Sequence, residues 1–322
     1  MVTLKDVAKK ASVSVSTASY AINGSTLITE ETKNKVLKAA EEIGYRPNGM
    51  AKNLKKNKTE IIGLFISGFT GPFFNEMIEG IQDVVIEKGY ELVVCASVDK
   101  HRLLVEKHVD GAIILNYHMD DALLSAVAHQ KMPLVVMDRD LQHPFIQNVL
   151  LPNDRGMALA VKHFAETGVK DLGFIAGSTE SYDGEARLEA FERAVADHGL
   201  NFDRQHLIRA DFTEESGYEA MKEYLQSHTE YPRGFVSAND EMALGAMEAI
   251  QEKGLHIPGD LALVGFDDIY ISKFVSPSLT TVNIPRKTWG EMAARTLFRM
   301  LDENLEFEEE ELSISLKVRH SG

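Results

Sequence analysis

Near the start of the chain, Val15, Ser16, Thr17, Ser19 and Tyr20 crowd into one short segment, with Lys5, Lys9 and Lys10 close by in sequence. Small hydroxyls at the start of a helix can bond phosphate oxygens or base edges, and a tyrosine there reaches deeper into a groove. The same Ser and Thr can also act only as caps that bond their own backbone, the commoner use in an isolated Ser-rich helix. A second set, Asp138, Arg187, Asn239 and Asp267, is spread along the chain, each at or just after the start of an expected helix or the end of a strand. Carboxylates and an amide exchange hydrogen bonds with vicinal hydroxyls, and a guanidinium donates a fixed fork. Phe73 and Phe212 add flat apolar faces that suit a pyranose ring or a base. Plainer readings stand beside these: Asp138–Arg139 as a surface pair, Asp267 and Asp268 as caps of the following turn.

The elements that must position the first set read as three short helices within residues 1–46. Thr3 and Asp6 form a capping-box pattern ahead of Leu4, Val7, Ala8 and Ala11. Ser14 is a natural cap for a second helix running to about Asn23, with Gly24 as its stop. Thr29 caps a third, whose expected apolar face is Val36, Leu37, Ala40 and Ile43, before Gly44 ends it. Two short helices around a three- to four-residue turn, in basic surroundings, describe a helix-turn-helix. Residues 47–59 are polar and basic, a linker too short to hold a helix alone in water, with Gly49 weakening it further.

From Ile61 the pattern becomes short apolar runs alternating with amphipathic helices. Strands are expected at 61–66, 91–95, 112–115, 134–137, 172–175, 207–210, 234–236 and 262–266, with one more at 312–318. Near-continuous apolar strands separated by helices mean parallel sheets covered on both faces. Their number suits an α/β clamshell of two doubly wound lobes, like a periplasmic binding protein. The first lobe is expected at about 60–152 and 284–311 and the second at about 153–283 and 312–322, with ligands held at strand ends facing the cleft.

Bulk properties narrow the function classes. The 322-residue chain has 44% hydrophobic and 26% charged residues, the balance of a globular protein. No apolar run approaches the roughly 18 residues of a membrane span, and the N-terminus lacks a secretory core, so a cytoplasmic location is expected. The single cysteine, Cys95, excludes an intramolecular disulfide and is expected to be a buried strand residue. The net charge of -15 is unevenly spread: residues 1–59 carry eleven basic and five acidic side chains, giving +6 and leaving -21 for the rest. A basic head on an acidic body directs one end toward phosphates. The eleven histidines lack ligand spacing, and no phosphate-loop, nucleophile-elbow or zinc-protease motif occurs. No metal, cofactor or enzymatic activity is expected.

The segments Thr3–Ala8, Ala11–Ser14, Ser16–Ser19, Asn23–Gly24, Thr29–Thr32 and Gly44–Asn48 closely resemble the DNA-binding head of the lactose/galactose-repressor family. The likeness continues through Gly71–Phe74, Asp138–Arg139, Arg187–Phe191, Asp211–Tyr218, Ala238–Ala243, Val264–Asp268 and Pro277–Val282. It implies DNA-binding roles for Thr3, Val15, Ser16, Thr17, Ser19, Tyr20 and Asn23, with Val15, Ser16 and Tyr20 at base-reading positions. In the linker it implies contacts from Met50, Lys52 and Leu54, with Leu54 as a wedge into the minor groove. It also implies effector contacts from Phe73, Asp138, Arg187, Phe212, Asn239 and Asp267. Three departures stand out: Tyr20 in place of Arg or His, Gly49 in place of Ala, and Gly71 where Asn is common.

The resulting expectation is a homodimeric repressor that binds double-stranded operator DNA under control of a small effector. A neutral sugar is preferred, because Arg187 is the only confident cation for a phosphate. A sugar phosphate, a purine or a phosphorylated protein acting as corepressor are the alternatives. A solute-binding protein is the rival from another class, and the basic head argues against it. A C-terminal tetramerisation zipper is not expected.

Overall fold

The computed structural model describes residues 2–46, 58–97, 101–302 and 311–322. The linker candidates Met50, Lys52 and Leu54 lie outside the described residues. The chain divides into two compact units, Met1–Thr59 and Glu60–Gly322.

In the first unit, α1 (Leu4–Lys10), α2 (Val15–Ile22) and α3 (Glu30–Glu42) surround a core of Val7, Ala8, Ala11, Ala18, Ala21, Val36, Ala39 and Ala40. The N–H and Oγ1 of Thr3 both donate to Asp6, at 2.9 and 2.7 Å, and fix the start of α1. Ser14 Oγ accepts from the Thr17 N–H at 3.0 Å and opens α2; Thr29 Oγ1 accepts from the Thr32 N–H at 3.3 Å and opens α3. The apolar face of α3 departs from expectation: Leu37 is 42% exposed and Ala39 is buried in its place. With Val36 pointing inward, the 3.6-residue period brings 39, 40 and 43 to the same face and turns 37 away.

The second unit holds two sheets. The first has the order β2-β1-β3-β4-β5, all parallel, from β1 (Ile61–Ile66), β2 (Glu91–Cys95), β3 (Gly111–Leu115), β4 (Leu134–Val136) and β5 (Ile146–Asn148). The second runs β11-β10-β9-β8-β6-β7, from β6 (Asp171–Ala176), β7 (Asn201–Arg209), β8 (Gly234–Ser237), β9 (Ala262–Asp267), β10 (Thr280–Asn283) and β11 (Ser315–Lys317). Only the β10–β11 pair is antiparallel among its described pairings. The helices between the strands, in chain order, are α4 (Phe73–Glu87), α5 (Arg102–Val105), α6 (Asp121–Val127), α7 (Asn153–Thr167), α8 (Tyr182–Asp197), α9 (Glu214–Ser227), α10 (Asp240–Glu252) and α11 (Arg286–Leu301). A 3₁₀ turn, Tyr270–Lys273, precedes β10.

Helix α11 follows β10 of the second sheet, yet it packs on α4, beside the first. A Cβ at Gly80 would collide with Lys287 O and one at Gly290 with Met77 O, so these glycines let the two backbones touch. Trp289, 1% exposed, donates through Nε1 to Val149 O at 2.9 Å. Four details differ from the sequence reading, and β10, absent from the expected strands, is one of them. Strand β5 had no apolar run to announce it. Strand β7 begins at Asn201 because a polar, exposed edge strand carries no hydrophobic signal. Cys95 is half-buried, not buried, because β2 is also an edge strand.

Candidate functional site

Parallel strands end on the same side of their sheet, and loops leaving those ends meet in one cavity of about 510 Å³. Phe73, Asp138, Arg187, Phe212, Asn239 and Asp267 all line it. Phe73 and Asp138 come from the first lobe, the others from the second.

Arg187, 3% exposed on α8, donates through Nε to Asn153 Oδ1 at 2.9 Å and through Nη1 to Ala238 O at 2.6 Å. Its guanidinium lies 4.0 Å over the Phe266 ring. These contacts fix the fork before any ligand arrives, and none of the described residues accepts from Nη2.

Asp267 closes β9 with φ +109°, a conformation side-chain-bearing residues rarely adopt. Arg286 holds that backbone by donating through Nη1 to Asp267 O. The Asp267 side chain is 3% exposed, and its Oδ1 has no hydrogen-bond partner among the described residues; Arg187 Nη1 lies 3.8 Å away. Burial pushes its carboxyl up to about 7 against the pull of Arg187 and Arg286. A buried acceptor without a donor costs about 1–3 kcal/mol, which a hydroxyl-bearing ligand would offset.

Asn239 caps α10, accepting from the Met242 N–H at 3.0 Å, and donates through Nδ2 to Phe212 O at 2.9 Å. It therefore positions Phe212 as well as facing the cavity. Phe212 itself has φ +71°, and its ring covers Gly177, where a Cβ would collide with it. Phe73 stands edge-on to Phe74 and Trp289, at 5.5 and 6.2 Å between centroids. Asp138 pairs with Arg139, accepting from its Nε at 3.0 Å, but at 5% exposure the pair is not the surface pair the sequence allowed; Asp138 lines the cavity. Burial raises its pKa in spite of that pair.

Sequence reasoning missed four lining residues of consequence: Tyr117, Asp183, Asp211 and Glu241. Asp183 accepts from Asn153 Nδ2 at 2.7 Å, and burial raises its pKa while Arg187 opposes. Burial, with Glu214 and Asp240 nearby, pushes Glu241 up to about 7. Among the described residues lining the cavity, five carboxylates (Asp138, Asp183, Asp211, Glu241 and Asp267) face one guanidinium, Arg187. Such a site repels phosphate and suits hydroxyls bounded by flat apolar faces.

On the other unit, Val15, Ser16 and Tyr20 are exposed on α2, Val15 and Tyr20 at 44% each, opposite the buried Ala18 and Ala21. Thr3 and Asn23 are exposed, and Thr17 and Ser19 half-buried. Asn23 Nδ2 donates to Ser19 O at 2.8 Å, so that side chain caps α2. An exposed Val and Tyr beside hydroxyls form a face that the small core does not require.

Among the described residues no cluster of His, Cys, Asp and Glu could hold a metal ion, and no helix is long and apolar enough to cross a membrane.

Comparison with known proteins gives two family matches: bacterial regulatory proteins of the lacI family over residues 3–48, and a periplasmic binding protein-like domain over 161–322. The HTH-type transcriptional repressor PurR of Photobacterium profundum is 32% identical over 330 aligned positions, covering 100% of this chain and 98% of that protein. The complex of the transcriptional regulator CelR with cellobiose is 31% identical, with a TM-score of 0.75 and full coverage of both chains. The lac repressor dimer bound to operator and the anti-inducer ONPF is 27% identical, with a TM-score of 0.84, covering 99% of this chain and 98% of that one.

Proposed function

This chain belongs to the lacI family of bacterial regulatory proteins and is a DNA-binding transcriptional repressor, from which premise we propose that a small sugar-like effector in the cleft between its lobes controls its grip on operator DNA. Two helix-turn-helix heads of a homodimer insert α2 into successive major grooves, with Val15, Ser16 and Tyr20 at base edges and Thr3, Thr17, Ser19 and Asn23 at the backbone. Met50, Lys52 and Leu54, outside the described residues, engage the minor groove in this reading. The exposed Tyr270, Ile271 and Phe274, at 65, 44 and 59%, supply an apolar patch of the kind subunit interfaces cover.

The observation that carries the effector class is the lining of the cleft: a fixed Arg187, an unpartnered Asp267 Oδ1, and an excess of carboxylates between Phe73 and Phe212. Vicinal hydroxyls satisfy these groups, whereas a phosphate meets repulsion. The structural neighbour that binds cellobiose supports the same reading. Because the cleft draws on both lobes, a ligand that favours one lobe angle shifts the conformational equilibrium, and operator and effector must alter each other's affinity by the same factor. Relief of repression by the effector is the expected direction.

A purine is the second reading, favoured by relatives bearing the name PurR and by the aromatic walls. Thermal melting of the full-length protein against sugars, sugar phosphates and purines, repeated as operator titrations, separates them. A shift of several degrees with a sugar, accompanied by changed operator affinity, supports the proposal. A shift confined to purines or phosphates overturns the sugar assignment.

A further inference from the structure

Gly71 and Glu241 meet across the cleft, one on the loop before α4 of the first lobe, the other in the first turn of α10. Gly71 has φ +80°, and a Cβ there would collide with Glu241 Oε1, so the carboxylate occupies the space a side chain at position 71 would fill. Glu241 has no hydrogen-bond or ion-pair partner among the described residues, although it is half-buried and lines the cavity. The other carboxylates differ. Asp138 is paired with Arg139, Asp183 is bonded by Asn153, and Asp211 accepts from Thr213. Asp267, 3% exposed, presents the unpartnered Oδ1 and shares Arg187 with Asp183.

We infer that the effector carries a protonated amine, and that Glu241, in the recess opened by Gly71, is the specificity-determining residue that receives it. The inference rests on the reading of this cleft as a sugar-effector site and narrows it to amino sugars. Among the described residues lining the cavity, Arg187 is the only guanidinium; Asp183 and Asp267 share it and Glu241 has no cation, so whenever these carboxyls ionise the cleft carries an excess of negative charge. A neutral sugar satisfies the hydrogen bonds but leaves that excess; an ammonium group satisfies both. Glycine at 71 is what makes the arrangement possible, because any side chain there would displace the Glu241 carboxylate.

The test uses the full-length protein and matched probes: glucose, glucosamine and N-acetylglucosamine, and cellobiose beside the β-1,4-linked glucosamine dimer. The expected result is a larger melting shift and an at least tenfold tighter Kd for the amine member of a set than for its neutral and acetylated counterparts. E241Q should narrow that gap severalfold by weakening the amine member more than the neutral one. Equal or stronger binding of the neutral members, or an E241Q protein that keeps the full gap, overturns the inference. The two levels of failure are distinguishable. If a neutral sugar shifts melting and operator affinity as much as its amine counterpart or more, the sugar-effector reading stands and the amine falls. If no sugar of either kind does, both fall.

Discussion

Asp240 accepts a hydrogen bond from Ser272 Oγ at 2.6 Å, joining the start of α10 to the 3₁₀ turn that carries Tyr270 and Ile271. The same carboxylate accepts from the Ile269 N–H at 2.9 Å and from Thr281 Oγ1 at 2.5 Å, on the strand that leads back to α11. Its neighbours Asn239 and Glu241 line the cleft. One buried side chain thus connects the ligand cavity, an exposed aromatic patch and the return crossing.

Removing it should be costly. D240A leaves three buried donors unsatisfied and should lower stability by roughly 2–4 kcal/mol, whereas S272A, which removes one bond, should cost about 1 kcal/mol. Urea unfolding of both variants measures this. Equal effects from the two would contradict the role given to Asp240.

Arg187 should separate ligand binding from DNA binding. R187A removes the fork and should weaken the effector by roughly 1.5–3 kcal/mol, about 10- to 150-fold in Kd. Operator affinity without ligand should be unchanged, since the head is a separate compact unit. Calorimetric titration of ligand beside anisotropy on operator DNA checks both halves.

On the head, Y20A should cost roughly 1–3 kcal/mol on the preferred operator and little on random duplex. Replacing Lys52 with Ala should instead weaken all duplexes alike and reduce the salt slope by about one. Competition titrations at several salt concentrations distinguish base reading from phosphate attraction.

Stability should fall as pH rises through about 7. Asp240, Asp267 and Glu241 are each pushed up to about 7, so between their unfolded values near 4 and that point the folded state holds the extra protons. Their contribution is complete below the unfolded pKa and lost through the folded one. His129 and His206, pushed down by burial, act oppositely below about 6.5, so the fall should be clearest from pH 6.5 to 8. E241Q should flatten it. A melting temperature that climbs over that interval would contradict the assignment.

Much of this architecture was legible because its causes are local. Apolar runs such as Ile61–Ile66 and Ala262–Phe266 can only be strands buried on both faces, and Ser14 and Thr29 cap where hydroxyls ahead of helices should. The six residues singled out for the cleft converge there because strand ends of parallel sheets converge. What stayed hidden depends on tertiary context. Asp183 reads as an ordinary first-turn acid until Asn153 and Arg187 are beside it. Glu241 reads as an exposed helix acid until Gly71 faces it from the other lobe. Asn239 reads as a ligand contact, and only the fold reveals that its amide also holds Phe212.

The most direct measurement of the central claim is anisotropy of the full-length protein on operator fragments selected from genomic DNA and on random duplex, with and without saturating cleft ligand. The expected result is at least about 10³-fold preference for the selected operator. The ligand should change that affinity by about 5- to 150-fold in the wild type, and R187A should need about 10- to 150-fold more ligand for the same response. Equal affinity for both duplexes, or a ligand response that survives loss of Arg187 unchanged, would contradict the account.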